Sequence, residues 1–128
     1  MELTDKERQM LTTKQEEICG LTTQILEIAH APQKKLEIEK NFTIILSLLS
    51  QISSYSKSKG NLNEFTQGIN MLFLLMEQEK INKIWIASPI TIRVACNYAN
   101  SMKFDFTKKG LKIHFPRINL NVGSIANR

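Results

Sequence analysis

The side chains best suited to catalysis or metal binding are few in this sequence: His30, His114, Asp5, Asp105, Cys19 and Cys96. A structural zinc site needs four converging ligands, and a catalytic triad needs a nucleophile, a base and an orienting group. The six residues show neither pattern of spacing, and the five glycines are too scattered for a phosphate-binding loop. We therefore predict no catalytic residues, no metal site and no cofactor, and we expect a protein that is not an enzyme.

The number of cysteines and the hydropathy of the sequence indicate the cellular compartment of the protein. Two distant cysteines cannot form a disulfide framework, so we expect two buried thiols in a reducing environment. The N-terminal residues lack the basic region and apolar core of a signal peptide. No run approaches the roughly 18 apolar residues that a membrane-spanning helix requires. The sequence thus predicts an intracellular protein without a transmembrane segment.

The positive charge of the chain lies in its second half. The formal net charge is +5; residues 1–60 carry eight basic and eight acidic side chains, whereas residues 61–128 carry nine and four. From Lys83 onward the only acid is Asp105. Such asymmetry is typical of a surface for nucleic acid or another polyanion.

Six basic side chains fall on predicted polar faces or in a predicted turn: Arg93, Lys103, Lys108, Lys109, Lys112 and Arg117. Because Lys and Arg neutralise phosphates, we take these as the candidate nucleic-acid-binding residues. The neighbouring phenylalanines are predicted to face the core, so we expect contacts to the phosphate backbone rather than base stacking. Two other interpretations stay open: a basic face that is simply solvated, and an acidic membrane or protein as the partner.

Three amphipathic helices are predicted to present this basic segment, over residues 4–29, 32–56 and 61–82. Thr4 or Asp5 can cap the first helix, and Asn61 with Glu64 has the form of a capping box for the third. The link between the first two helices is only a few residues long, which makes them antiparallel neighbours.

The first helix carries an apolar stripe at heptad-like spacing: Leu11, Ile18, Leu21, Ile25 and Ile28. Such a stripe packs either against other helices of the same chain or against a second copy. Packing within the chain is the plainer interpretation, and the alternative is a homo-oligomer formed through these residues. A protein–protein interaction or assembly module acting through this seam is therefore our second functional hypothesis.

A β-hairpin is predicted over residues 102–115, where apolar and polar residues alternate. Cross-strand partners must share a face, which pairs Phe106 with Leu111, Phe104 with Ile113 and Met102 with Phe115. A four-residue loop, Thr107–Gly110, satisfies this register and gives Gly110 the left-handed position. The opposite face then carries Lys103, Asp105, Lys112 and His114, and we interpret Asp105 and His114 as a surface charge pair.

Residues 89–101 fit two structures. Alternation from Ile90 to Tyr98 and the abundance of β-branched residues favour a strand, which is our prediction. Ser88-Pro89 is also a good helix start, so a helix is the alternative. After Pro116, the alternation of residues 117–122 predicts one further strand.

Together these patterns predict a single α+β domain. Its helical half, residues 1–82, is a three-helix antiparallel bundle with heptad-like seams, and its basic, β-rich half, residues 83–128, is a small antiparallel sheet. The basic half leads us to expect an oligomeric, non-enzymatic accessory protein that binds nucleic acid. The abundance of Ile, Lys and Asn is typical of AT-rich coding sequences such as those of viruses and phages.

Overall fold

In the part of the chain that the structure describes, four helices precede a two-stranded sheet. The computed structural model describes residues 2–56, 62–82, 89–108 and 110–115. Its elements are α1 (Asp5–Ile28), α2 (Lys35–Ser53), α3 (Leu62–Asn82), α4 (Pro89–Asn100), β1 (Lys103–Thr107) and β2 (Gly110–His114). The predicted α+β class, with helices followed by an antiparallel hairpin, is confirmed, although there are four helices rather than three.

Helix α1 begins at the predicted cap. Thr4 Oγ1 accepts a hydrogen bond from Glu7 N at 3.1 Å, and Glu7 Oε1 accepts one from Thr4 N at 3.0 Å. This reciprocal capping box satisfies two backbone donors that the first turn of a helix leaves without partners. The helix ends at Ile28, with Ala29 as its C-cap, close to the predicted boundary.

The other helix boundaries differ slightly from expectation. Pro32 lies in a short 3-10 turn, Pro32–Lys34, rather than in the first turn of α2. Helix α2 ends at Ser53, and the chain then turns so that Ser56 forms a parallel β-bridge with Leu111. The predicted cap at Asn61 lies outside the described residues.

The predicted strand over residues 90–98 is wrong, because this segment is helix α4. Ile92, Ala95, Cys96 and Ala99 are all buried, and their spacing of 3, 1 and 3 is that of one face of a helix. The alternation of apolar and polar residues was only apparent, because Ala95, which stands at a polar position of that pattern, is buried. The described part of the basic half therefore contains a helix as well as the hairpin, and is less β-rich than expected.

The helices pack in ring order. Helix α1 contacts α2 and α4, and α3 contacts the same two helices. The short link and the bond from Lys14 Nζ to Gln51 Oε1, 2.6 Å long, make α1 and α2 antiparallel as predicted. Leucine and isoleucine side chains from every helix are buried between them, as are Met102, Leu111 and Ile113 of the hairpin segment. No helix in the described ranges is long and apolar enough to cross a membrane.

Helix α1 forms a spine for the C-terminal segment, to which it is joined along its whole length. Near its end, His30 Nδ1 lies 3.4 Å from a guanidinium nitrogen of Arg93. In its middle, Thr22 Oγ1 lies 2.7 Å from Asn100 Oδ1, and Gln15 Nε2 donates to the carbonyl oxygen of Met102 at 2.7 Å. Residue numbers fall along α1 as they rise along α4 and β1, so α4 and β1 run antiparallel to α1.

The hairpin has the predicted register. Phe104 pairs with Ile113 and Phe106 with Leu111, and the ladder runs from the pair Lys103–His114 to the pair Thr107–Gly110. Since Thr107 and Gly110 themselves pair, the ladder is one pair longer than the predicted four-residue loop allows. Gly110 has φ of 118°, the left-handed region that favours glycine, as predicted. The predicted strand over residues 117–122 lies outside the described residues.

Candidate functional site

The outward side of the hairpin is a polar surface formed by Lys103, Asp105, Lys112 and His114, which we call the outer face. All four side chains are exposed. The register places Lys112 opposite Asp105 and His114 opposite Lys103, so the two lysines are diagonal neighbours. Lys108 is exposed in the turn at the hairpin tip. The structure thus brings together three of the six basic residues selected from the sequence.

Asp105 and His114 form the predicted surface charge pair. His114 Nε2 lies 3.9 Å from Asp105 Oδ2, and each side chain is 55% exposed. Water screens a pair with this exposure, so it contributes little to stability. Asp105 is the only acid on the outer face. Lys112 lies opposite it on the neighbouring strand, and His114 is its diagonal neighbour.

Arg93 stands apart from the hairpin lysines. It is exposed on α4 beside His30, whereas the hairpin tip reaches the first turns of α1, where the Arg8 guanidinium lies over the Phe106 ring. Residues 8 and 30 are separated by roughly 30 Å along the helix axis. Arg93 and Lys108 therefore lie near opposite ends of α1. Lys109 and Arg117, the other two candidates, lie outside the described residues.

The phenylalanines of the hairpin are less buried than the sequence predicts. Met102, Leu111 and Ile113 are buried, but Phe104, Phe106 and Phe115 are only partly buried against the core. Phe115 stacks on Tyr98 with ring centroids 5.1 Å apart, and Tyr98 stacks on Phe65 at the same distance. Phe104 instead contacts Phe106 edge-on at 6.0 Å. Two aromatic rings near the hairpin tip are therefore not enclosed in the core.

Arg8 is a residue that the sequence did not indicate as functional. Its guanidinium carbon lies 5.7 Å from the centroid of the Phe106 ring, a cation–π contact between residues at the two ends of the described chain. The Arg8 Nε is buried and has no hydrogen-bond partner. No local pattern could have revealed this pair, because an arginine in a first helical turn ordinarily points into water.

The apolar seam of the first helix is used within the chain. Leu11, Ile18 and Ile25 are fully buried, and Leu21 and Ile28 are partly buried against the same core. Fully buried side chains cannot contact a second copy unless the helices separate. The plainer of the two interpretations, packing within the chain, describes these residues.

The two cysteines differ in their surroundings. Both are free thiols, Cys96 buried and Cys19 partly exposed. Burial raises the pKa of the Cys96 thiol to about 12, since the thiolate would lose its hydration. Within the described ranges, no three His, Cys, Asp or Glu side chains lie where they could jointly hold a metal ion.

Comparisons with protein-family models, with curated proteins and with solved structures find no match to this chain. We therefore infer its function from the side chains themselves.

Proposed function

We propose that this protein is a non-enzymatic accessory protein that binds nucleic acid through the phosphate backbone, with the hairpin as its contact surface. The observation that supports this proposal is the exposure of Lys103 and Lys112 on the outer face and of Lys108 at the tip. When lysine ammonium groups bind the phosphates of a nucleic acid, they displace the counterions condensed on it. The release of these counterions is the main source of sequence-independent affinity.

The dimensions of the hairpin suit a short stretch of backbone. Each strand has five residues, which corresponds to a length of about 17 Å. Three lysines along this length can contact about three phosphates. Log K for duplex DNA should then fall with log salt concentration with a slope of about −3, and for a single strand with a slope of about −2. Lys109 and Arg117, which lie outside the described residues, stay candidates on the basis of the sequence alone.

The test is fluorescence anisotropy with labelled single- and double-stranded RNA and DNA across a salt series. The double variant Lys103→Gln/Lys112→Gln should bind more weakly and lower the duplex slope by about 2. The matched control is Lys34→Gln/Lys40→Gln, which removes the same charge from exposed positions at and near the start of α2. Since α1 and α2 are antiparallel, that control lies away from the hairpin tip. We expect its affinity to stay within twofold of the wild type.

Three results would contradict the proposal: no binding at low salt, binding that does not respond to salt, or an equal loss in both double variants. A further variant, Arg93→Gln, tests whether the contact surface extends along α4. A loss equal to that of one hairpin lysine would place Arg93 in the interface. No loss would confine the interface to the hairpin.

A second candidate function is a protein–protein interaction or assembly module, which includes self-association. One observation favours it: Met71 and Leu74 of α3 are 42% and 59% exposed, one helical turn apart. Because the seam of α1 is buried, this face of α3 would serve in its place. Sedimentation analysis of the wild type and of Leu74→Gln tests the idea, with Leu36→Gln, another exposed leucine, as the control. A wild-type monomer would exclude self-association.

A further inference from the structure

We propose that Arg8, Phe106 and Lys108 form a stacking site for one base of a single-stranded nucleic acid, in addition to the phosphate contacts of the outer face. This inference rests on the proposed function and deepens it. It also departs from the expectation that base stacking would be absent, because the structure leaves the rings near the hairpin tip partly exposed.

The Arg8 side chain is held by an aromatic ring rather than by a carboxylate. Its guanidinium lies over Phe106, at 5.7 Å from the ring centroid, and the described residues include no ion pair to Arg8. Among the described residues no ion pair joins Arg8 to the nearby Glu7, whose Oε1 accepts the Thr4 N hydrogen bond of the capping box. The positive charge of Arg8 therefore remains available to a ligand.

One donor of Arg8 lacks an acceptor. An arginine has five N–H donors, and the buried Nε of Arg8 has no partner. The Nε is enclosed and out of reach of a ligand. A ligand with acceptor oxygens or ring nitrogens would instead accept from the terminal nitrogens of the guanidinium. Nucleobases and phosphates both offer such acceptors.

The arrangement matches the way proteins hold unpaired bases. Bases of single strands stack on aromatic rings and on guanidinium planes, often with a basic side chain on the adjoining phosphate. Phe106 is partly exposed, and Phe104 supports it through an edge-on contact at 6.0 Å. Lys108, two residues further along the turn, is exposed and can reach the phosphate. A duplex keeps its bases stacked internally, so the site should discriminate in favour of single strands.

The experiment measures anisotropy for a labelled oligo-dT strand and for a duplex of the same length. Arg8→Lys keeps the charge but removes the planar group, and Phe106→Leu keeps an apolar side chain but removes the ring. Each of these two variants should weaken single-strand binding by about 5- to 10-fold, which is at the low end of the effect of losing one stacked base. Each should change duplex binding by less than twofold. Lys6→Gln, an exposed charge in the same turn of α1, is the control and should affect both forms equally.

A second readout uses a single strand that contains 2-aminopurine. The fluorescence of this base changes when it stacks on another ring. We expect the wild type to change this signal and Arg8→Lys to abolish the change, even if Phe106→Leu proves too unstable to use. The inference is overturned if Arg8→Lys binds single strands like the wild type, or if it weakens single-strand and duplex binding equally. If the wild type binds neither form at any salt concentration, the proposed function itself fails.

Discussion

The hydroxyl of Thr22 on α1 lies 2.7 Å from Asn100 Oδ1 at the end of α4 and 2.7 Å from the carbonyl oxygen of Cys19 in its own helix, and its single proton is shared between these two acceptors. Thr22 is fully buried, although it is polar, and Asn100 lies at the surface. A buried hydroxyl without a partner would destabilise the fold, and these two acceptors let a polar side chain occupy the tightly packed contact between two helices. The contact with Asn100 also joins the end of α4 to the middle of α1.

Replacement of Thr22 by Val tests the contribution of this bond. Valine has the same shape, and the Asn100 amide can bind water, so we expect a loss of about 1 kcal/mol in the free energy of unfolding. Thr23→Val is the matched control, since Thr23 is exposed and, among the described residues, bonds within its own helix to the same Cys19 carbonyl, at 3.1 Å. Urea denaturation measures both. A Thr22→Val protein as stable as its control would show that the bond adds nothing.

Two glycines should respond in opposite directions to alanine. At Gly110, with φ of 118°, an alanine would be strained, and we expect a loss of about 1–3 kcal/mol in unfolding free energy. Gly20 lies within α1, and a Cβ added there would meet no atom within 4 Å. Gly20→Ala should therefore stabilise the protein by about 0.5–1 kcal/mol. Thermal unfolding measures both signs, and a stabilised Gly110→Ala protein would contradict the hairpin geometry.

The two thiols should differ in reactivity. Cys19 is partly exposed, so a thiol reagent such as DTNB should modify it in the folded protein. Cys96 is buried with a pKa raised to about 12, so neither access nor ionisation favours reaction at pH 8. We expect one equivalent to react before unfolding and a second in denaturant, with Cys19→Ser abolishing the first. Two equivalents reacting at the same rate would show that α4 is not packed as described.

The raised pKa of Cys96 also predicts a pH dependence of stability. Above the ordinary thiol pKa of 9.0, the unfolded chain loses this proton, whereas the folded chain keeps it until about pH 12. The folded state then binds more protons, so stability falls with rising pH in this window, by about 1.4 kcal/mol per unit from this group. Cys96→Ala should have a shallower decline between pH 9 and 11 by urea denaturation. Parallel curves for the variant and the wild type would contradict the shifted pKa.

Local patterns were sufficient for most of the secondary structure. The Thr4 cap, the stripe of α1 and the hairpin register each depend on residues close in sequence, and the structure agrees with all three. The segment now seen as α4 was mispredicted because β-branched residues favour strands only weakly, and packing overrides that preference. Ala95 and Ala99 are buried on α4, and small residues of this kind permit a close approach between helices.

The candidate site was only partly visible in the sequence. The lysines of the outer face follow from strand alternation, since each polar residue of a half-buried strand faces water. Arg8 could not be found in this way, because its partner Phe106 is distant in the chain and meets it only through the docking of the hairpin on α1. Likewise, the separation of Arg93 from the hairpin lysines depends on how α4 lies along α1, which charge counting does not reveal.

The spine formed by α1 has a consequence for the order of folding. Its contacts with α2 are near in sequence and can form soon after both helices are synthesised. The contacts on its other side form with residues much later in the chain. Asn100 lies 78 residues after Thr22, and Met102 lies 87 residues after Gln15. Closing contacts of that separation is slow, and until then an apolar surface of α1 is exposed to water. A nascent chain that stalls before α4 would therefore present that surface to chaperones or aggregate through it.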